Sequence, residues 1–275
     1  MTYVTTLLLS LAQDNTLEAA KVDKAPAVDG DASDEAWGKA KPLAVTIKKA
    51  DAPDQGGAKV LVKAVVSGDM FYLLMQWDDS TKDVEHRLWV WNAAEKEYEV
   101  GDMSEDCCSV AFQLQGDFNF NMLTRHNAKW DLWQWKASRT NPVGYAMDKT
   151  HVYSTDAFPG GKSHTGPKGK VFMARLEDAG TSVTKRVKAP EAKGADKIPQ
   201  FIPQEPSGSA ADVKAKGVWK DNKWTVEFSR KLKTGNADDR EFAAGEKIPF
   251  AVAVFDHVED EDHSVSENLT LVLPK

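Results

Sequence analysis

Val60-Leu-Val-Lys-Ala-Val-Val66, Ser67-Gly-Asp-Met70 and Phe71-Tyr-Leu-Leu-Met-Gln-Trp77 run on without a break, and their reading decides the fold. Two short runs rich in β-branched and aromatic side chains flank a Gly-Asp pair, the composition of a strand, a tight turn and a returning strand. The same signature recurs at Ser109-Val-Ala-Phe-Gln-Leu114, Trp224-Thr-Val-Glu-Phe228, Pro249-Phe-Ala-Val-Ala-Val-Phe255 and Leu269-Thr-Leu-Val-Leu273. Gly, Asp and Asn separate these runs, and Lys220-Asp-Asn-Lys223 reads as a second hairpin turn. Helical patterns are few. Ser33-Asp-Glu-Ala-Trp-Gly-Lys-Ala40 opens on capping residues and predicts one or two turns. The balance predicts an all-β chain, a twisted antiparallel β-sandwich with long loops and few short helices.

A length of 275 residues with 41% hydrophobic content suits a single domain over residues 20–275. From about residue 159 to 215 the chain is rich in Lys, Gly, Pro and Ser and includes Ile198-Pro-Gln-Phe-Ile-Pro-Gln-Glu-Pro206. This stretch is read as a long loop excursion between strands, of the kind that carries function or covers a partner. A net charge of −7 with mixed signs argues against a nucleic-acid or anionic-membrane surface. No run reaches the length of a membrane span. Met1 to Ala12 has the apolar core of an export signal without its basic start, so residues 1–19 read either as a signal remnant or as a plain apolar segment. Cys107 and Cys108 are adjacent, and a bridge between neighbours is strained. With no CxxC pair and no CxxCH, structural zinc, a cysteine-ligated iron–sulfur cluster and covalent haem are excluded, leaving two small residues on a strand.

The chemistry concentrates around Met122-Leu-Thr-Arg-His126, just ahead of Trp130-Asp-Leu-Trp-Gln-Trp-Lys136. A thioether and an imidazole, both good iron ligands, precede three indoles suited to a flat cofactor. Each has a plainer reading: Met122 as packing filler, His126 as a solvated loop histidine. His263 follows Glu259, Asp260, Glu261 and Asp262. There it reads either as an exposed histidine of raised proton affinity or as an imidazole oriented toward iron by a carboxylate. His257 is the fallback for His263, and Met103 for Met122. In a strand Trp133 and Trp135 share one face and Leu132 takes the other, so the indoles fill a core or line a pocket. Lys136 and Arg139 are candidates to pair with haem propionates. No catalytic motif of the G-x-S-x-G, HExxH or phosphate-loop type occurs. The acidic run 259–262 lacks EF-hand spacing and reads as a solvated loop, not a calcium site.

Ala25-Pro-Ala-Val-Asp-Gly-Asp-Ala-Ser-Asp-Glu-Ala-Trp37 resembles the opening motif of a sandwich family that includes family 9 carbohydrate-binding modules and the haem-binding domain of ethylbenzene dehydrogenase. Met75-Gln-Trp-Asp-Asp-Ser-Thr81, Trp130 through Tyr145, Asp212-Val-Lys-Ala-Lys-Gly-Val-Trp219, Trp224 through Gly235 and Phe250 through Asp256 resemble the haem-binding branch, over roughly residues 20–273. The resemblance implies the γ subunit of a periplasmic-type molybdenum oxidoreductase, with the nitrate/nitrite branch most similar over Trp135-Lys-Ala-Ser-Arg-Thr-Asn-Pro-Val-Gly-Tyr145. It implies one non-covalent haem b and no bond chemistry of the subunit's own. Electrons would pass between an iron–sulfur β subunit, beside a molybdenum catalytic α subunit, and a soluble cytochrome c-type carrier. In that family a methionine just before the W-x-W run and a lysine shortly before the last strand ligate iron. Met122 takes the first place, and His263 stands where the lysine would fall. Relatives with covalent haem carry CxxCH near Met122, a frame that aligns His126 with the ligating histidine, so His126 competes with Met122. Two other readings stand beside this one. One is a carbohydrate-binding module whose surface tryptophans stack on sugars, and the other a haem-free structural subunit.

Overall fold

The structure, a computed structural model, describes residues 15–49, 58–257 and 263–275. Lys59–Ser67 and Met70–Asp78 form the expected antiparallel hairpin, closed at Gly68 with a left-handed φ of 59°. At the second turn Asp221 and Asn222 both take positive φ, 54° and 57°, as a two-residue turn between right-twisted strands demands. These hairpins build a six-stranded sheet in the order Lys214–Lys220, Lys223–Lys231, Met70–Asp78, Lys59–Ser67, Ala20–Lys21, with Leu43–Thr46 also paired to Lys59–Ser67. The second sheet has ten strands. Its main path runs Thr16–Glu18, Leu269–Val272, Lys247–Phe255, Cys107–Gly116, Ala128–Lys136, Met147–Ser154, Gly169–Glu177, Lys162–Gly166. Ser264–Val265 pairs onto Lys247–Phe255 and carries Lys48–Lys49 on its far edge. The result is an all-β sandwich.

The core lies between the two sheets. Val62, Phe71, Leu73, Met75, Trp77, Trp224 and Phe228 of one sheet meet Val110, Phe112, Trp133, Trp135, Phe250 and Val252 of the other. Trp77, Trp135 and Trp224 pack as a triad, with the Trp135 and Trp224 rings 4.9 Å apart and edge to face. Such pairs add about 0.5–1.5 kcal/mol beyond their buried area. The Trp135 indole needs a polar partner when buried, and its Nε1–H donates to Asn141 Oδ1 at 3.0 Å. Asn141 also accepts from Gly217 N at 2.8 Å and donates to Gly217 O at 3.0 Å, locking it against the ring. A Cβ on Gly217 would lie 2.3 Å from Trp135 Cζ2.

Helix Glu35–Lys39 forms as expected and buries Trp37, whose Nε1–H donates to Glu227 at 2.6 Å. Two stretches differ from the sequence reading. The 159–215 excursion opens with an antiparallel hairpin, Lys162–Gly166 and Gly169–Glu177, that extends the large sheet. Its alternation of buried Val171 and Met173 is short and lies among lysines and glycines, which hid it. Within the 1–19 segment, Thr16–Glu18 is a strand paired parallel to Leu269–Val272, and Leu17 is fully buried. Residues 1–14, and with them most of the export-signal reading, lie outside the described residues, as does the acidic run 259–262.

Gly217→Ala is expected to lower stability by about 1–3 kcal/mol through overpacking against Trp135. Urea denaturation checks this, and an unchanged midpoint would show that the ring yields to the added methyl.

Candidate functional site

Period-two alternation sends Trp130, Leu132, Gln134 and Lys136 to the outer face of the ten-stranded sheet and Asp131, Trp133 and Trp135 to the core. Strand register extends the outer row on both sides. Ala251, Ala111, Leu132 and Lys149 lie side by side on adjacent strands, followed by Ala253, Ser109 and Gln134. A third row runs Trp130, His151, Arg175. Small side chains at Ser109, Ala111, Ala251 and Ala253 therefore make a low floor, with larger residues around it. The resulting groove contains about 710 Å³ of atom-free space, its solvent-open mouth included.

Two walls come from chain segments that leave the sheet. Phe120 and Met122 belong to the connection between Cys107–Gly116 and Ala128–Lys136, and both line the groove. His263 and Val265 follow Lys247–Phe255 and line it too. The His263 ring stacks on Phe255, centroids 4.8 Å apart and planes 20° from parallel. Met122, half-buried, packs against the outer cluster of Trp130, Tyr153 and Met173. Lys136, Lys149, His151 and Arg175 supply a basic and imidazole-bearing flank. The Nδ1 of His151 lies 3.2 Å from the Tyr153 hydroxyl.

The structure thus brings Met122, His263, Trp130 and Lys136 to one groove and leaves other candidates elsewhere. His126 stands behind Trp130, stacked on Tyr153 at 4.9 Å and on Trp130 at 5.8 Å, and is not part of the groove lining. Its Nδ1–H donates to the Thr124 carbonyl, which leaves Nε2 as a buried lone pair with no hydrogen-bond partner. Trp133 faces the opposite side of the sheet, among Phe71, Phe112, Phe228 and Phe242. Trp135 is held in the indole triad. Arg139 is away from the groove: its guanidinium pairs with Glu105 and lies 5.2 Å over the Phe201 ring. His257 is exposed and pairs with Asp83 at 3.1 Å, and Met103 lies outside the groove lining as well.

His151, Lys149, Arg175, Phe120 and Phe255 were not singled out from the sequence. The parity of Asp148-Lys-Thr-His-Val-Tyr153 as a strand was the available signal, since it alternates polar and bulky residues beside the tryptophan run.

Residues 34–266 match the ethylbenzene dehydrogenase family. The chain belongs to this family. Membership associates it with an ethylbenzene dehydrogenase-like oxidoreductase complex, as a subunit. No curated protein sequence is significantly similar to this member of the ethylbenzene dehydrogenase family. Among solved structures it is similar to a candidate carbohydrate-binding protein of Bacteroides uniformis, with 8% identity, TM-score 0.48, and 94% of this chain and 99% of that chain covered. It is also similar to a family 9 carbohydrate-binding module of Caldicellulosiruptor kristjanssonii in complex with glucose, with 10% identity, TM-score 0.41, and coverage of 94% and 95%. The same module in complex with cellotriose gives 10% identity, TM-score 0.41, and coverage of 94% and 93%. Among the described residues no helix is long and apolar enough to cross a membrane.

Glu105 is buried and also accepts from the backbone N–H groups of Ser138 and Arg139, at 2.6 and 3.0 Å. Removing it leaves a guanidinium and two amides without their acceptor. Glu105→Ala is expected to cost about 3–5 kcal/mol, the loss seen when one partner of a buried pair is deleted. Denaturant titration is the check, and a loss under about 1 kcal/mol would show the pair to be surface-like.

Proposed function

We propose that this chain is the haem b subunit of its oxidoreductase complex, with the groove on the large sheet as the cofactor site. The carrying observation is that Met122 and His263 line a single groove whose floor is made of small residues. The side chains present fit the group. A thioether and an imidazole reach the groove from two walls, Trp130, Phe120 and Phe255 offer flat apolar flanks, and Lys136, Lys149 and Arg175 suit two propionate carboxylates. Bound there, haem supplies a one-electron iron couple, and a soft sulfur ligand raises its potential relative to two imidazoles.

The chain's own residues do the rest. Phe255 stacks on His263 and fixes its ring plane, which limits how the imidazole can be presented. Trp130, wedged between Phe118 and Tyr153 at 4.9 and 4.2 Å, gives a rigid wall. Met122 has three rotatable bonds and can adjust within its connection. Met122 and His263 would together hold the iron, so the subunit would relay electrons and leave bond chemistry to its partners. Those partners are an iron–sulfur β subunit and a molybdenum α subunit, with a cytochrome c-type carrier beyond, in an extracytoplasmic compartment. The nitrate/nitrite oxidoreductase branch is the favoured placement of that complex.

A carbohydrate-binding role has less support from the surface. Six of the nine tryptophans are buried and Trp89, Trp91 and Trp219 are half-buried, so none stands out as a flat stacking platform.

The test is the visible spectrum of the purified, dithionite-reduced protein with a pyridine haemochrome assay. A sharp low-spin α band and one haem per chain are expected. Met122→Ala and His263→Ala should each lose the low-spin band, and His126→Ala should keep it. No Soret peak, even after incubation with haemin, would refute the proposal, and measurable glycan affinity in such a colourless protein would establish the carbohydrate reading. A low-spin band lost only in His126→Ala would refute Met122 as ligand.

A further inference from the structure

Behind the groove floor, on the inner face of the same sheet, four acidic side chains, Asp131, Asp148, Asp178 and Asp239, are buried together with one arginine, which pairs with two of them. Asp131 lies between Trp130 and Leu132, and Asp148 precedes Lys149, so parity turns both inward. Arg230 projects from the opposite sheet, its guanidinium 4.8 Å over Trp133 and 5.0 Å over Phe242. Its Nη1 donates to Asp131 Oδ2 at 2.5 Å and to Asp239 Oδ1 at 3.0 Å. Asp131 Oδ2 also accepts from Arg240 N at 2.8 Å. Asp178 Oδ1 accepts from Thr150 Oγ1 at 3.0 Å.

The other oxygens of this group are buried without a hydrogen-bond partner: Asp131 Oδ1, Asp239 Oδ2, Asp178 Oδ2 and both oxygens of Asp148. Asp131, Asp148 and Asp239 are only 0%, 3% and 4% exposed, and one carboxylate oxygen from each lies within 4.8 Å of the others. Four carboxylates against one guanidinium leave a surplus of negative charge in a site sealed from water. Burying such charge without compensation is expensive. The cost shows in the proton affinities: burial, and then the nearby Asp131 charge, hold the Asp148 carboxyl well above its ordinary range. Burial, with the charge of Asp238 next, pushes Asp178 up to about 7.

The geometry points to a divalent-cation site at Asp131, Asp148 and Asp239, of the calcium class, that no part of the haem reading requires. Its donors are all carboxylate oxygens, which select hard cations over zinc or copper. Oxygens bound to one calcium ion stand no farther apart than about twice 2.3–2.6 Å, a limit within which the three carboxylates fall. Magnesium demands a tighter octahedron and gives up its water reluctantly, which suits a buried site poorly. Arg230 engages one oxygen each of Asp131 and Asp239 and leaves the other without a hydrogen-bond partner, while both oxygens of Asp148 lack one.

The test uses the full chain, stripped with chelator and titrated with CaCl2, and then with TbCl3, whose luminescence the neighbouring Trp133 sensitises. Calcium is expected to raise the thermal midpoint by several degrees and magnesium to raise it less. Terbium emission excited through indole should saturate and be displaced by calcium. Asp148→Asn should abolish both responses, with a midpoint in chelator equal to or above that of the wild type, because a buried unpaired charge is gone. Asp239→Asn is the second variant, read in the same way if the first does not fold. Asp79→Asn, in the separate Asp79, Asp106 and Asp256 group, should keep both responses. Absence of any calcium shift and terbium signal in the wild-type chain would overturn the inference. So would their survival in Asp148→Asn and Asp239→Asn, or their loss in Asp79→Asn alone.

Discussion

One strand, Ala128–Lys136, sets the terms for the rest of the molecule. Because its side chains alternate between two faces, a single run of sequence builds two environments. Its odd-numbered members, Asp131, Trp133 and Trp135, enter the core and the buried acidic cluster, and Trp130, Leu132, Gln134 and Lys136 line the outer groove. A register irregularity between Lys129 and Trp130 marks where the strand begins to hold this alternation against Cys107–Gly116. A slip of one residue would exchange the two sets, placing Lys136 in the core and Trp135 over the groove. Packing of Trp135 against Trp77 and Trp224 makes that slip prohibitive.

The aromatic content follows from this arrangement. A sandwich core is about 10 Å thick, and large side chains from both inner faces must fill it. Trp133 does so amid Phe71, Phe112, Phe228 and Phe242, with the Arg230 guanidinium against its ring face. Such a stack lets a cation sit in the interior, since the ring face and the carboxylates beyond it are both attractive. Outside the sheet the logic reverses. Ala111, Ala251, Ala253 and Ser109 are small where the core is bulky, so the outer face is left with a depression that Trp130 and Phe255 flank.

Much of the framework was readable in the residues, because hairpins are local. Ser67-Gly-Asp-Met70 and Lys220-Asp-Asn-Lys223 carry their turn chemistry within four residues, and both turns form. The groove is a different kind of object. Ala111, Leu132 and Ala251 are neighbours only through pairing between distant strands, and no local pattern announces that. Met122 and His263 were chosen by ligand chemistry and by a family likeness, and the structure adds that they share a groove. Parity showed that Trp133 and Trp135 share a face, but with indoles on both sides of the strand it did not say which face the core would take. Arg139 pairs away from the groove for a related reason: its partner Glu105 lies 34 residues earlier, just ahead of Cys107–Gly116, and the pairing is set by tertiary contact.

The groove lies on the outside of a sheet whose other side is already sealed by the core. Filling or emptying it therefore disturbs no contact between the two layers of the sandwich. A ligand seated there would therefore leave the fold's own assembly untouched: the polypeptide could reach its final shape first, take up such a guest afterwards, and exchange it without unfolding.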